Sequence, residues 1–369
     1  MKVLILSANT GQGHNSCAKA LKEVYENHGS SCEIQDALAF ISPGFSRFIC
    51  RWFIRIYRCC PRAFRWGYRV SETHPGVFAE GSFLYKIYRR GSAKLASYIK
   101  EGGFDTVICT HVFAAMILNS APGLDKVSIK TASVATDYTA SPSVEQGNPD
   151  VQFIPDKSLE SEFLVGNITK EKIYPSGIPV REDFFVKLEK SAAKAQMGIK
   201  EGHKHLLIMC GSMGCGHLKR LASRLKEALK EGQEATLICG TNKKLYRRLK
   251  RKNKDGSKLH ICGYTNEISL YMDSADLYLT KPGGISVTEA AVKNLPMVFM
   301  DAVGGCEDHN SAFFTKTGGA VTADGPKELS QTCVSLLSDD ERLSAMSNAL
   351  KGLVRSNPAE TIYSVMAQN

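Results

Sequence analysis

The chain has 369 residues, about twice the length of a typical domain, so two domains are expected. With 43% hydrophobic and 23% charged residues it is a globular protein, and neither a disordered chain nor an internal repeat fits it. Its twelve cysteines form no CxxC pair, which argues against a zinc site and a disulfide scaffold and favours reduced thiols in a cytosolic protein.

The first half of the chain alternates strands and helices. A strand is predicted at residues 3–6, a glycine-rich turn at 7–15 and a helix at 16–27. Further strands are predicted at residues 33–35, 106–109, 127–135 and 151–154. This alternation predicts a parallel sheet. The N-terminal apolar run is too short for a signal peptide, and no stretch reaches the roughly 18 apolar residues of a spanning helix. We therefore expect a protein that is not integral to a membrane but could lie on its surface.

Positive charge is concentrated between Pro43 and Lys100. This segment has twelve Arg or Lys residues and two acids, so it carries the whole net charge of +10 while the other 311 residues sum to zero. It also holds both tryptophans, Trp52 and Trp66, and its arginines have a helical spacing that is interrupted at Pro61. The arginines are Arg47, Arg51, Arg55, Arg58, Arg62, Arg65 and Arg69.

Cations beside large amphipathic rings suit an anionic lipid interface, where each basic residue contributes about 1 kcal/mol. A solvated helix face backed by ordinary core aromatics is one alternative interpretation, and a nucleic-acid surface is another.

The alternation of strands and helices restarts after a charged stretch at residues 181–204. Strands are predicted at 205–209, 235–239, 259–262, 277–280 and 296–300, and helices at 218–231 and 287–293. The fold class is therefore α/β, with two doubly wound Rossmann-like domains facing across a cleft that binds ligands at the carboxyl edges of the strands. The expected domains are residues 1–183 and 184–350, and a C-terminal helix within 351–369 could pack back on the first domain.

Three strand-to-helix turns are rich in glycine. They contain Gly11 and Gly13, then Gly211, Gly214 and Gly216, then Gly283 and Gly284. Glycine lets the backbone approach a ligand closely, and helix N-termini offer N–H donors and a partial positive charge, so the turns together suit a diphosphate. Each turn alone is equally typical of a tight corner, and none matches a P-loop or a full dinucleotide fingerprint.

Two further features follow the third turn. The Glu289 carboxylate could accept both hydroxyls of a ribose, although it could also be a simple partner of the helix dipole. The polar loop at residues 304–310 could bind sugar hydroxyls or merely cap a helix.

Several of these segments occur together, in an order that resembles a known family. They are residues 7–18 with Gly13-His14-Asn15, then Thr136-Asp137-Tyr138, Gly177-Ile178-Pro179-Val180, Gly211-Ser212-Met213-Gly214, and Lys281-Pro282-Gly283-Gly284 through Glu289. The chain from residue 1 to about 320 resembles the monogalactosyldiacylglycerol synthase and processive diacylglycerol glucosyltransferase family, and more distantly the lipid II glucosaminyltransferase. The resemblance implies a GT-B fold, an N-terminal acceptor domain, a C-terminal UDP-sugar domain, and inversion at the anomeric carbon without a required metal or cofactor.

The resemblance also implies roles for individual residues. His14 falls where the family has its candidate catalytic base, a role suited to a histidine with a pKa near neutrality. His111, at a strand end, is a secondary candidate on the acceptor side, with core packing as the alternative, and Asp137 and Tyr138 also lie on the acceptor side. The donor-binding set contains Gly13, Gly211, Ser212 and Gly214 in the glycine turns and Tyr264 and Thr265 at the uracil. It also contains Gly283, Gly284 and Ser286 at the diphosphate, Glu289 at the ribose, and Glu307 and Asn310 at the sugar. The membrane set does not come from the resemblance but from the charge and aromatic pattern of the basic segment; it is Arg51, Trp52, Arg55, Arg58, Arg62, Arg65 and Trp66.

The sequence departs from the family pattern in two places. The family often has a histidine and a tryptophan shortly after Thr136-Asp137-Tyr138, and residues 139–144 contain neither. The donor loop has Cys306 where the family usually has glutamine. The acceptor and the hexose are therefore open.

We expect an inverting, metal-independent hexosyltransferase that moves a hexose from UDP-glucose or UDP-galactose to diacylglycerol in glycolipid synthesis. The expected location is cytoplasmic, peripheral on the inner face of the cell membrane, with an anionic membrane surface as partner and no nucleic acid. The alternatives are a transferase acting on another lipid such as a polyprenyl-linked sugar, a UDP-sugar epimerase of the same fold, and a non-catalytic membrane sensor that binds a UDP-sugar.

Overall fold

The computed structural model describes residues 1–9, 11–74, 76, 81–124, 127–211, 218–253, 257–300 and 304–368. The chain divides into two compact units. The first consists of Met1–Glu182, Val303–His309 and Ser356–Asn369, and the second of Asp183–Ala302 and Asn310–Arg355. Within the described residues, no helix combines the length and hydropathy needed to cross a bilayer.

The first unit is built on a six-stranded parallel sheet with strand order β2-β1-β3-β4-β5-β6. Its strands are β1 (Lys2–Ser7), β2 (Ser31–Asp36), β3 (Thr106–Cys109), β4 (Lys130–Val134), β5 (Val151–Ile154) and β6 (Ile173–Pro175). Its helices are α1 (Gln12–Asn27), α2 (Ala37–Ile41), α3 (Pro43–Cys59), α4 (Pro61–Thr73), α5 (Phe83–Gly102), α6 (Val112–Asn119), α7 (Glu160–Phe163) and, at the C-terminus, α16 (Pro358–Gln368).

The central strands of the first unit's sheet are apolar on both faces, as is typical of parallel strands that lie between layers of helices. In β1 all residues from Val3 to Ser7 are buried, and β3 is buried throughout. Helix α1 packs on this sheet through the side of the helix that carries Cys17, Leu21 and Val24. The C-terminal helix α16 belongs to this unit and contacts α1, where His28 lies 2.8 Å from a Glu360 carboxylate oxygen.

Two proline residues divide the basic segment into helices. Pro43 and Pro61 each occupy the first helical position, where a missing N–H is tolerated, so α3 ends at Cys59 and α4 begins at Pro61. The Ser42 hydroxyl accepts a hydrogen bond from the Phe45 N–H and caps α3. The helical spacing of the arginines and its interruption at Pro61 are confirmed.

The second unit has its own six-stranded parallel sheet, with strand order β12-β11-β10-β7-β8-β9. Its strands are β7 (Lys204–Met209), β8 (Gln233–Ile238), β9 (Leu259–Cys262), β10 (Leu277–Thr280), β11 (Met297–Phe299) and β12 (Ala320–Thr322). Its helices are α8 (Lys190–Met197), α9 (Leu218–Ala228), α10 (Lys243–Lys252), α11 (Ile268–Ser274), α12 (Gly284–Val292), α13 (Cys306–Lys316), which begins in the first unit, α14 (Gly325–Leu336) and α15 (Asp340–Leu350).

The prediction of two doubly wound α/β domains is confirmed. Two helix starts differ from the prediction at the glycine turns. Helix α1 begins at Gln12 rather than at residue 16, and α12 begins at Gly284 rather than at 287. In both cases a glycine, Gly11 or Gly283, is the N-cap, so the helix starts inside the segment that a propensity argument assigns to the turn.

Candidate active site

The strand order of each sheet fixes where a ligand is expected. In the first sheet the chain runs from β1 outward to β2 and then returns to the other side of β1 with β3. In the second sheet it runs outward from β7 through β8 to β9 and returns to the other side of β7 with β10. The crevices beyond the carboxyl ends of β1 and β3, and of β7 and β10, are therefore topological switch points, where open α/β sheets bind ligands.

His14 lies at the switch point of the first sheet, in the first turn of α1. Its Nδ1 is 3.0 Å from the carbonyl oxygen of Thr110, the residue that follows β3, and 2.9 Å from Oγ1 of Thr136. A carbonyl oxygen can only accept, so Nδ1 carries the proton and Nε2 carries the lone pair. The first sheet thus presents a neutral histidine in the tautomer that can accept a proton at Nε2.

The pKa of His14 also favours the neutral form. Burial lowers this pKa below its ordinary value of 6.5, and the lowering is opposed in part by the charge of Asp137 and by the hydrogen bond to Thr110. A histidine that is neutral at physiological pH can act as a general base. Its surroundings therefore agree with the predicted role, which itself stays a prediction.

His111 lies beside His14, with ring centroids 4.4 Å apart in an edge-to-face arrangement. It is the N-cap of α6, and its Nδ1 accepts a hydrogen bond of 3.1 Å from the Phe113 N–H. Its proton therefore lies on Nε2, the opposite tautomer to that of His14. Burial, followed by the neighbouring His14, lowers the His111 pKa well below 6.5. His111 is thus a helix cap that also forms a wall of the site.

A chain of polar side chains connects the first glycine turn with helix α3. The Ser7 hydroxyl donates to Asn15, Asn15 donates to Asn9, and Asn9 donates to the Asp36 carboxylate, over distances of 2.7, 2.8 and 2.9 Å. Asp36 caps α2 and accepts a further hydrogen bond from the Ser46 hydroxyl in α3. The loop that precedes His14 is therefore braced against the start of the basic segment.

Two of the glycine turns begin at the switch point of the second sheet. Gly211 follows β7 with a φ of +67°, a backbone conformation that favours glycine. Ser212 and Gly214, predicted to bind the donor, lie outside the described residues. After β10, the turn from Lys281 to Gly284 leads directly into α12. Both turns leave the carboxyl ends of adjacent strands.

The N-terminus of α12 has the properties of an anion site. Its N-cap is Gly283, which has no capping side chain, and the first turn contains no acid. A Cβ added at Gly283 would meet no atom within 4 Å, so the glycine leaves the approach to the helix open. Gly283 and Ser286 are partly exposed, whereas Gly284 is buried. Unpaired N–H groups and the helix dipole both favour a phosphate at such a terminus.

Polar side chains surround the α12 terminus. Glu289 is buried on α12, only 9% exposed, five residues after the helix start. The buried amide of Asn310 donates to the Pro282 carbonyl oxygen over 2.9 Å, so this predicted sugar ligand braces the glycine turn. Lys281 is also buried, in the turn that precedes the glycine N-cap of α12.

The predicted uracil contacts follow β9 on the same carboxyl edge of the second sheet. The Tyr264 ring is 65% exposed and its hydroxyl donates to Asn266 over 2.9 Å. The Thr265 hydroxyl accepts from the Glu267 N–H and so shapes the turn. An exposed ring on a rigid turn is available to a flat base.

The donor loop belongs to the first unit as far as His309. Gly304 and Gly305 have φ values of +103° and +69°, and a Cβ on either would come within 2.6 Å of Arg65 or Tyr68 of α4. Glu307 is buried. Burial, followed by the charges of Asp137 and Glu307, raises the pKa of the Cys306 thiol well above its ordinary value. Glu307, predicted to bind the sugar, and Asp137, predicted to lie on the acceptor side, therefore belong to the same compact unit, and the charges of both act on the Cys306 thiol.

Two family models cover most of the chain. One, described as monogalactosyldiacylglycerol (MGDG) synthase, matches residues 14–180, and the other, the glycosyltransferase family 28 C-terminal domain, matches residues 205–362. Proteins named processive diacylglycerol beta-glucosyltransferase, from Bacillus cereus strain AH187 and Bacillus mycoides strain KBAB4, are each 27% identical over 100% of this chain and 94% of their own length.

By these matches the chain is a glycosyltransferase in which a monogalactosyldiacylglycerol synthase domain is followed by a glycosyltransferase family 28 C-terminal domain. The resemblance inferred from the sequence is thereby confirmed.

The fold of this glycosyltransferase matches solved GT-B structures. The crystal structure of Acinetobacter baumannii MurG has a TM-score of 0.65 and 14% identity over 100% of this chain and 99% of its own. A UDP-GlcNAc 2-epimerase from Neisseria meningitidis, bound to UDP-GlcNAc, has a TM-score of 0.63 and 14% identity over the whole of both chains. At such identities the likeness establishes the GT-B fold alone.

The basic segment of this glycosyltransferase carries a surface that we call the basic-aromatic surface. Among the described residues, the four exposed Phe and Trp side chains all lie there: Phe48, Trp52, Trp66 and Phe83. Trp66 is 70% exposed. Arg51 and Arg55 are exposed at helical spacing beside Trp52, and Arg65 is exposed with its guanidinium 3.9 Å from an Asp308 carboxylate oxygen. The side chains of Arg58 and Arg62 lie outside the described part of the chain.

Three residues at the two switch points had no predicted role. Thr110 fixes the His14 tautomer through its backbone carbonyl, which no sequence motif can indicate. Thr136 contacts His14 and stands in the Thr136-Asp137-Tyr138 motif, so the motif was the available signal. Lys281 likewise stands in the motif that precedes α12. Within the described ranges, no group of three or more His, Cys, Asp or Glu side chains is placed to hold a metal ion.

Proposed function

We propose that this enzyme transfers a hexose from a UDP-sugar to the free hydroxyl of diacylglycerol at a membrane surface, with inversion and without a metal ion. The observation that carries the proposal is the N-terminus of α12 at the β7/β10 switch point, with Glu289 five residues beyond it. A glycine-capped helix supplies N–H donors for a diphosphate, and a buried carboxylate suits the two hydroxyls of a ribose.

The proposed chemistry is a single displacement. The acceptor oxygen forms a bond to the anomeric carbon while the bond from that carbon to the diphosphate oxygen breaks. The acceptor proton passes to Nε2 of His14, and UDP leaves with the bonding electron pair. Nε2 is suited to this step because Nδ1 is held protonated by Thr110. The negative charge that develops on UDP would be stabilised by the N–H groups and the dipole of the α12 terminus.

Two kinds of observation support the lipid acceptor. Curated relatives across the full chain are named processive diacylglycerol beta-glucosyltransferases, and the first half matches the MGDG synthase model. The basic-aromatic surface has exposed rings beside arginines, the composition that favours an anionic bilayer interface. We propose that this surface, including Arg51, Trp52 and Arg55, holds the enzyme at the inner face of the cell membrane.

The test is a transfer assay with UDP-glucose and UDP-galactose, each incubated with vesicles that contain diacylglycerol and an anionic phospholipid. We expect hexosyl-diacylglycerol by mass spectrometry from one of the two donors. Failure to form a glycolipid with either donor would contradict the proposal. Transfer only to a polyprenyl-linked sugar, or interconversion of UDP-sugars without an acceptor, would replace it with one of the alternatives.

A further inference from the structure

Helix α10 in the second unit has an unusual concentration of positive charge. Seven of its ten residues are Lys or Arg, and the sequence contains no acid between Glu234 and Asp255. All seven side chains are exposed. We call this the α10 basic face; it consists of Lys243, Lys244, Arg247, Arg248, Lys250, Arg251 and Lys252.

The charges of the α10 basic face repel one another. Four like-charge pairs stand four residues apart on one helix, for example Lys243 with Arg247 and Arg247 with Arg251. Within the described part of the chain, none of the seven cations lies within 4.0 Å of a carboxylate oxygen. Three cations in the last turn do benefit from the helix dipole, but the four in the first two turns do not.

The helix is held in place from its opposite side. Leu245 and Leu249 are buried in the core of the second unit, and Tyr246 packs against that core. The Asn242 side chain caps the helix by accepting from the Leu245 N–H. This anchoring keeps the basic face directed to solvent despite its self-repulsion. A rigid, uncompensated cationic face is suited to a surface that carries many negative charges.

From this geometry we infer that the α10 basic face binds the phosphate headgroups of an anionic bilayer and forms a second membrane contact of the enzyme. The choice of a bilayer rather than another polyanion rests on the proposed function. Single-stranded nucleic acid is disfavoured because the aromatic ring of α10, Tyr246, packs against the core and is not presented for stacking. Without exposed apolar side chains, α10 adsorbs electrostatically, whereas the basic-aromatic surface can also insert rings.

The test compares two full-length variants that each lose three positive charges from the second unit. The first is Lys244→Gln/Arg247→Gln/Arg251→Gln on α10. The control is Lys327→Gln/Arg342→Gln/Arg355→Gln, three exposed cations dispersed outside α10. Binding is measured by co-sedimentation with phosphatidylcholine vesicles that contain 30% phosphatidylglycerol, in low salt and at 0.5 M salt. Unfolding midpoints check that each variant folds.

Each basic residue near an anionic surface contributes about 1 kcal/mol, or about fivefold in affinity, so the α10 variant should bind at least about tenfold more weakly than wild type. The control should bind like wild type. The difference should vanish at 0.5 M salt and on pure phosphatidylcholine, because the contact is electrostatic. Equal binding by the two variants would overturn the inference, as would a defect in RNA binding without a defect in vesicle binding.

This result is separable from the proposed function. Glycolipid formation from detergent-dispersed diacylglycerol should be the same for wild type and the α10 variant. If wild type makes glycolipid and the α10 variant binds vesicles normally, the inference about α10 fails and the proposed function stands. If wild type makes no glycolipid, the proposed function fails whatever the vesicles show.

Discussion

Replacement of His14 by glutamine removes the proposed base while it keeps a side chain of similar size at the first switch point. General base catalysis by a positioned side chain contributes about 10²–10⁴-fold, so turnover of His14→Gln should fall by that factor. This corresponds to an increase of about 3–5 kcal/mol in the barrier. UDP affinity should be unchanged, because the proposed UDP site lies in the second unit, around α12.

The pH dependence of kcat/KM tests the role of His14 independently. Burial lowers the His14 pKa below 6.5, so Nε2 should stay unprotonated throughout the range above pH 6.5. Wild-type kcat/KM should therefore be flat from pH 8 to 6.5 and should decline only at lower pH, as the base becomes protonated. Asp137 raises the His14 pKa. Asp137→Asn should therefore move the decline to still lower pH.

The assay is transfer of labelled hexose at saturating donor, with kcat and KM measured separately and UDP affinity by calorimetry. His28→Gln is the matched control, since His28 lies just past the other end of α1 and should be catalytically neutral. Retention of more than about a tenth of wild-type turnover by His14→Gln would refute the role of His14. A decline of kcat/KM centred above pH 6.5 would contradict a base whose pKa is lowered by burial, as that of His14 is.

Three further predictions concern single residues. Wild type should bind UDP about 10–100-fold more tightly than 2′-deoxy-UDP, because one charge-assisted hydrogen bond to the ribose is lost, and Glu289→Ala should abolish this preference. Calorimetry measures both affinities, and an unchanged preference in the variant would remove Glu289 from the ribose site. Gly305→Ala should lower the thermal unfolding midpoint more than Gly325→Ala, because both have φ near +68° but only Gly305 lies against the Tyr68 ring; equal midpoints would contradict this contact. Burial lowers the His205 pKa to about 4 in the folded protein. The unfolded chain, whose histidine has its ordinary pKa of 6.5, therefore binds a proton at higher pH than the folded protein does. The free energy of unfolding should fall by about 2 kcal/mol between pH 7 and 5. Urea unfolding of His205→Asn should lack this pH-dependent portion, and an identical pH dependence in the variant would show that His205 is not its source.

Local patterns were sufficient to predict the fold class and all the strands except β6 and β12, the three-residue strands at one edge of each sheet. Short, continuously apolar segments such as Val3–Leu6, and the predicted strand Leu277–Thr280, are buried strands in the structure. Helix starts were less accurate because a glycine N-cap carries no propensity signal, as at Gly11 and Gly283. The strand order could not be derived locally, since it depends on which edge of the sheet each new strand joins.

The candidate site was only partly accessible to sequence reasoning. The motifs that contain His14 and Glu289 indicated the turns, but the contact that fixes the His14 tautomer joins residues 96 apart in sequence. The sugar contact predicted for Asn310 stays a prediction, and the hydrogen bond from its amide to the Pro282 carbonyl oxygen joins residues 28 apart in sequence, which no local motif indicates. The α10 basic face was hidden for a different reason. A net charge of zero over 311 residues averages seven clustered cations with dispersed acids, so only a local count reveals the cluster.

The most direct test of the proposed donor site is a crystal structure of the enzyme with bound UDP. We predict the diphosphate at the N-terminus of α12 beside Gly283, the ribose hydroxyls on the Glu289 carboxylate, and the uracil against the turn that contains Tyr264. Electron density for UDP away from Gly283 and Glu289 would show that the proposed donor site, and the function that rests on it, are wrong.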